Sequence, residues 1–445
     1  MHEAPIPDPR QTQAQLGRAY WAFYEHTLAD LKPQFLPWVD IADVEAVEAV
    51  ARQTAGSEVS ALHQKMLEKL QDLASNNTDV GREEFKGLYD QAVGLTLPAT
   101  CAFLRHSHAI RAITSSHSLS AVDLNTLKSI DLLAHQDPTF RTFAKQLVAK
   151  LAKKTTEFDV IAYSQFFEIY GEAVTLQFLR DRGLKTERVA EADTGRPDFQ
   201  CELESGKDFY IEVKSLDIVG GEFRHREMME DALDVQIDLE AQLKSGERVA
   251  MAVSEISPYK GVGTTRSYDW RSLITVIDSL RSKCRQAFKS SQFTLGPTFA
   301  LALLDRLVLP GAVHALAPYY YEPLHGGACI SGVLWHAAYG KIGAPIFRIC
   351  EFEGKPTLEG HLTSDGLFAD THQVFPGVGL ITLDGRTGQR VAYGLAAANK
   401  TEGWSFDLTE EVLRLICDAQ NDHGNSFAHV LSHREHGPRS QSPEA

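Results

Sequence analysis

The 445-residue chain has no CxxC pair. Its cysteines (Cys101, Cys201, Cys284, Cys329, Cys350 and Cys417) stand far apart, which excludes a zinc ribbon and a disulfide framework and points to reduced thiols in a cytoplasmic protein. No apolar run reaches the roughly 18 residues that a spanning helix needs, so no membrane partner is expected. The opening MHEAPIPDPRQTQAQ has neither a basic region nor an apolar core, and no secretory signal is expected in it. Positive charge is short: 44 Lys and Arg against 59 Asp and Glu leave a formal net charge of -15. That balance counts against strong nonspecific coating of nucleic acid, because backbone affinity comes largely from cations, while leaving room for a local basic groove. No H-E-x-x-H occurs, and the glycines of GVGTTRS at 261–267 lack the lysine spacing of a phosphate loop. HGGACISG at 325–332 has no G-x-S-x-G elbow to accompany it and reads as a tight loop.

What is present falls into four stretches. Residues 1–155 read as a mostly helical domain: QAQLGRAYWAFYEHTLADL, EVSALHQKMLEKLQDLA and LNTLKSIDLLAHQDPTFRTFAKQLVAKLAKK repeat apolar residues at spacings of three and four. They hold no catalytic constellation, and His106 and His108 in FLRHSHAIR read as an exposed or satisfied pair. Residues 156–310 alternate helices with short strands, the pattern of an α/β layer. YSQFFEIYGEAVTLQFLRDRG predicts a helix closed by Gly183; RHREMMEDALDVQIDLEAQLKSG and DWRSLITVIDSLRSKCRQAF predict further helices, and RVAMAVSEI at 248–256 an apolar strand. Residues 311–420, with APIFRICEFEG and GVGLITLDG, read as a β-rich continuation or a subdomain, and 421–445 as a polar tail.

The chemistry concentrates in GRPDFQCELESGKDFYIEVKSLDI, residues 195–218. In YIEVK, Glu212 and Lys214 share one face of a strand while Ile211 and Val213 share the other. The Ser-Gly pair of the spacer predicts a turn that folds the segment around Asp198 antiparallel onto that strand. Asp198 and Glu212 then approach across a hairpin, and two carboxylates so close repel unless a cation lies between them. Magnesium or manganese suits such an oxygen site. Lys214 adds an ammonium able to orient a water or to stabilise charge on a phosphoryl oxygen. Upstream, Glu168 and Glu172 lie one turn apart on a helix whose face continues through Leu176 and Leu179. Read blandly, the same residues make an edge hairpin with a solvated Glu–Lys pair.

The order of helix with Glu, RPDF, spacer and FYIEVK resembles the PD-(D/E)xK nuclease superfamily, the restriction-endonuclease-like fold, over roughly residues 160–305. The resemblance implies a mixed central sheet flanked by helices, here preceded by the helical N-terminal domain. It implies a magnesium-dependent endonuclease acting on nucleic acid, DNA foremost. Asp198, Glu212 and Lys214 fall on the motif, with Glu172 or Glu168 as the further acidic residue and the Val213 backbone carbonyl completing a metal shell. Arg224, His225, Arg226, Lys260, Arg266, Arg281, Lys283, Arg285 and Lys289 are candidate phosphate contacts, Gln236 and Gln242 candidate assisting residues, and Tyr319, Tyr320 and Tyr321 either base-stacking or core groups. The helical N-terminal region would bind a partner or mediate self-association. The alternatives are an inactive nuclease-like binding or scaffold protein and a hydrolase of a different phosphate substrate.

Overall fold

The computed structural model describes residues 36–106, 122–153, 160–190, 195–215, 221–223, 225–247, 249–252, 259–261, 273–287, 290–304, 316, 319–321, 329–348, 357–369, 376–383, 389–397 and 404–418. The helix expected at 13–31, His108, Arg224, Arg266, Lys289 and the tail lie outside them. The chain forms two compact units, residues 1–113 with 123–170, and 114–122 with 171–445. Among the described residues no helix is long and apolar enough to cross a membrane.

The described part of the first unit is helical: α1 (Ile41–Gln53), α2 (Glu58–Ser75), α3 (Asp79–Thr96), α4 (Pro98–His106), α5 (Leu124–Ala134), α6 (Pro138–Ala152) and the start of α7 (Val160–Asp181). Side chains of Asp40, Ser57, Thr78, Asp123 and Asp137 accept from first-turn N–H groups, so the sequence sets these helix starts locally. Val47, Met66, Leu70, Phe85 and Leu97 build the core of α1–α3. The N-terminus of α4 is capped from a distance. Buried Asp131 of α5 accepts from the N–H groups of Ala99 (3.0 Å) and Thr100 (2.8 Å) and from the Thr100 hydroxyl (2.8 Å).

The second unit centres on a six-stranded mixed sheet. Its strands are β1 (Lys185–Arg188), β2 (Phe199–Glu202), β3 (Asp208–Ser215), β6 (Thr298–Leu303), β11 (Gly377–Leu383) and β12 (Arg390–Ala396), in spatial order β1-β2-β3-β6-β11-β12. The pairs β1–β2, β2–β3 and β11–β12 are antiparallel, whereas β3–β6 and β6–β11 are parallel. The sheet is therefore an α/β sheet in which a meander feeds two parallel crossovers. Small antiparallel pairs join β4 (Gly221–Phe223) to β5 (Tyr259–Gly261), β7 (Tyr319–Tyr321) to β8 (Cys329–Ser331), and β9 (Pro345–Arg348) to β10 (Thr357–His361). The remaining helices are α8 (His225–Lys244), α9 (Leu273–Ala287), α10 (Val333–Tyr339) and α11 (Phe406–Ile416).

Helix α7 ends as its glycine predicts. Gly183 takes φ +81°, its N–H donates to Arg180, and the Leu184 N–H reaches back to the carbonyl of Leu179. β6 is buried at every position, as a strand between parallel neighbours must be, and β11 and β12 extend the same sheet beyond it. The apolar stretch at 248–256 departs from expectation. Its described part, residues 249–252, is not a strand, and Val249 and Met251 are exposed. The backbone of Met251 bonds instead to the side chain of Gln242, through N–H to Oε1 (2.9 Å) and carbonyl to Nε2 (3.1 Å), while β6 takes the place beside β3.

Candidate active site

Asp198 stands immediately before β2, and the hairpin fixes it twice. Its N–H donates to the carbonyl of Ile211 (3.0 Å), and its Oδ2 accepts from the N–H of Val213 (2.7 Å). The register Phe199↔Ile211 follows from the turn at 203–207, where Gly206 adopts φ +76° and Leu203 N–H meets the Lys207 carbonyl at 2.9 Å. The expected antiparallel approach of Asp198 to the YIEVK strand is thus present. Val213 lies opposite Leu301 of β6, with its N–H committed to Asp198.

Glu212 and Lys214 alternate with apolar Ile211 and Val213, but β6 flanks β3 and the Glu212 face is not solvated: the Glu212 side chain is 2% exposed and that of Lys214 16%. Lys214 Nζ donates to Glu212 Oε1 at 2.5 Å, and the Nε2 of Gln292 donates to the same oxygen at 2.6 Å. Among the described residues, the buried Oε2 of Glu212 has no hydrogen-bond partner. The carboxyl is pushed up to about 7, first by burial and next by repulsion from Asp198, with Lys214 and Gln292 pulling it down. A buried carboxylate with one orphaned oxygen and a second carboxylate beside it is a costly arrangement for the chain alone.

The acidic residues of α7 stand differently. Glu172 Oε2 pairs with Arg188 Nη2 of β1 at 2.9 Å, both side chains being mostly buried, and Glu168 is exposed. Among the described residues, no three His, Cys, Asp or Glu side chains gather as a ready cation cage; Asp198 is near enough to Glu212 to raise its pKa, and Glu172 is tied to Arg188. Gly171, beside Glu172, lets α7 pack closely on the sheet: a Cβ there would sit 2.0 Å from Ser215 Oγ and 3.4 Å from Leu303.

Several expected phosphate contacts serve other ends. Arg281 is 2% exposed and donates to Ser364 and to the Asp365 carbonyl, because α9 turns this face inward. Arg285 reaches the same carbonyl at 2.7 Å, and Lys283 is half-buried. Gln236 bonds Glu240 within α8, and Gln242 holds Met251, so neither bonds the carboxylates. Cys101, Cys201, Cys284 and Cys417 are free thiols, and burial raises the pKa of each. Sequence reasoning missed Gln292 and Arg188. The only local sign of Gln292 is a polar residue in a turn just before an all-apolar strand; Arg188 shows as a cation on a short strand after the helix-ending glycine. Neither pattern identifies a partner. Comparison with family models, curated proteins and solved structures finds no match.

Proposed function

We propose that the chain is a divalent-metal-dependent endonuclease of restriction-endonuclease-like fold, hydrolysing phosphodiester bonds in nucleic acid, DNA foremost. The observation that carries the reading is the buried carboxylate of Glu212, orphaned at Oε2 and repelled by Asp198. The residues fit a magnesium or manganese ion: two carboxylates, with the Val213 carbonyl as a third hard oxygen. Such an ion, when bound, neutralises the carboxylate pair and polarises the scissile phosphate. The hairpin holds Asp198 through Val213 N–H, so one ligand is set by backbone geometry. Lys214, anchored on Glu212 Oε1, keeps its ammonium at the carboxylates, where it meets charge growing on a phosphoryl oxygen. Glu172 supplies a further carboxylate only by leaving Arg188. The helix-then-meander order of α7 and β1–β3 and the mixed sheet support the fold reading.

A second reading has its own support. Lys214 and Arg188 already neutralise Glu212 and Glu172, as in an inactive nuclease-like binding protein. One experiment separates the two. Single-stranded, duplex and branched DNA and RNA are offered with magnesium, manganese or chelator to the wild type and to Asp198→Ala and Lys214→Ala. Cleavage that needs metal is expected. Asp198→Ala should lose both manganese binding by calorimetry and cleavage. Lys214→Ala should keep metal and fold while losing about 3 kcal/mol of transition-state stabilisation, roughly a hundredfold in rate. A wild type that binds DNA in calcium but cuts nothing in any metal favours the binding protein; a Lys214→Ala variant that cuts at the wild-type rate removes lysine from the mechanism.

A further inference from the structure

We propose that Gln292 is a positioning residue for Glu212: with Lys214 it holds Oε1, so that Oε2 stays bare for a cation. The inference rests on the metal reading above. Its basis is the asymmetry of the carboxylate. The two donors, Lys214 Nζ at 2.5 Å and Gln292 Nε2 at 2.6 Å, converge on one oxygen, while the other is buried without a partner among the described residues. A carboxylate offers about four lone-pair sites over two oxygens, and a group held only for packing gains by spreading its donors over both. Leaving one buried oxygen bare forgoes a hydrogen bond that the interior favours strongly, unless something else uses that oxygen.

The place of Gln292 is itself fixed by β3. It lies in the 3₁₀ turn Ser290–Phe293 and is 8% exposed. The Thr298 hydroxyl donates to the Gln292 carbonyl at 3.2 Å and lies 3.0 Å from that of Gly296, which pins the turn to the start of β6. Gly296 then lies against the Tyr210 ring, where a Cβ would come within 2.9 Å of Cε2, and the Tyr210 N–H donates to the Pro297 carbonyl at 2.8 Å. Tyr210 is two residues before Glu212, so the turn is locked to the strand that bears the carboxylate. The amide orientation follows from chemistry, since only the NH2 end of Gln can face a carboxylate oxygen. A neutral donor orients Glu212 without positive charge, so its loss is uncompensated, whereas losing Lys214 removes a donor and also a cation that repels the metal, two effects that offset. Outer-shell donors of this kind set ligand orientation, and their removal weakens metal binding about ten- to a hundredfold.

The test uses the full chain. Gln292→Met keeps the length and removes the donor. By calorimetry it should bind manganese about ten- to a hundredfold more weakly than the wild type, with the metal-free unfolding temperature nearly unchanged. In the wild type, the Gln292 side-chain amide resonance should move on adding magnesium, and that movement should vanish in Glu212→Gln. Equal manganese affinity in Gln292→Met overturns the proposal and leaves the metal reading standing. A Gln292 amide that ignores magnesium in a metal-binding wild type overturns it too, and decides the matter if the Met variant does not fold. A wild type that binds no manganese removes the metal reading and this inference together.

Discussion

Glu212 makes a statement about stability as well as chemistry. Its carboxyl has an ordinary pKa of 4.5 and is raised to about 7 in the fold, burial being the first cause and Asp198 the second. Between those values the folded chain keeps a proton that the unfolded chain releases. Stability from this group is therefore greatest below the ordinary value and is lost as pH climbs through the raised one. Asp131 acts in the same direction, raised by burial to about 6 against the hydrogen bonds from Thr100 and Ala99 that favour its charged form. The metal-free protein should thus melt at a lower temperature near about pH 8 than near about pH 5. Glu212→Gln should flatten that slope and leave the part due to Asp131. Melting curves over the range check this, and a variant slope as steep as the wild type's would show that Glu212 titrates at its ordinary value.

At the scale of the element, α7 meets the sheet through Gly171, whose missing side chain makes room for Ser215 Oγ and Leu303. Alanine there gains roughly 1 kcal/mol of helix propensity over glycine. Overpacking costs about 1–3 kcal/mol, so the clash should win and Gly171→Ala should destabilise the chain. In a Ser215→Ala background the oxygen is gone, the nearest remaining contacts are ordinary at 3.4 Å, and the same change should become neutral or stabilising. Denaturant unfolding of the four proteins in this cycle reads the reversal; additive effects would mean that Ser215 does not set the spacing. Local elements of this kind were legible in the sequence. The Gly183 stop, the turn at Gly206, and the alternation that placed Glu212 and Lys214 on one strand face all depend on neighbours in the chain. The slot beside β3 was not legible, because the run at 248–256 and the run that became β6 are both apolar and β-branching or turn signals do not choose between them. Parallel pairing makes that choice at long range. Gln292 was missed for the same reason, since its partner arrives only with β6. The ion pair of Glu172, a candidate metal ligand by sequence, was not legible because the arginine that takes it up belongs to another element.

For the whole molecule, the chain divides into two compact units, each with its own core. Asp198, Glu212, Lys214, Glu172 and Gln292 all belong to the unit made of residues 114–122 and 171–445, while Glu168 belongs to the other. A ligand stabilises the state that binds it, by about 2.7 kcal/mol at a hundredfold excess over its dissociation constant. Scanning calorimetry should therefore resolve two transitions, of which manganese raises one and leaves the other in place. A rise of both together would mean that the units melt as one. With a formal net charge of -15, any nucleic-acid binding would have to come from a local cluster of cations, and its affinity should fall with salt in proportion to the phosphates that cluster neutralises.

The parallel pairing of β3 with β6 also orders events in time. The bonds that join Asp198 to Ile211 and Val213 close within one short hairpin, which forms in microseconds. The bond from Tyr210 N–H to the Pro297 carbonyl needs the chain to return across α8 and α9, and such non-local closure is slow. During refolding, pulsed hydrogen exchange should find the Asp198 amide protected before that of Tyr210; simultaneous protection would mean that hairpin and crossover condense together. If the hairpin closes first, Glu212 would have its lysine before its glutamine, and the two carboxylates would face water, where their repulsion is screened. That order would let the sheet bring the acidic pair together while solvated and seal it afterwards, sparing the growing fold from burying two like charges at once.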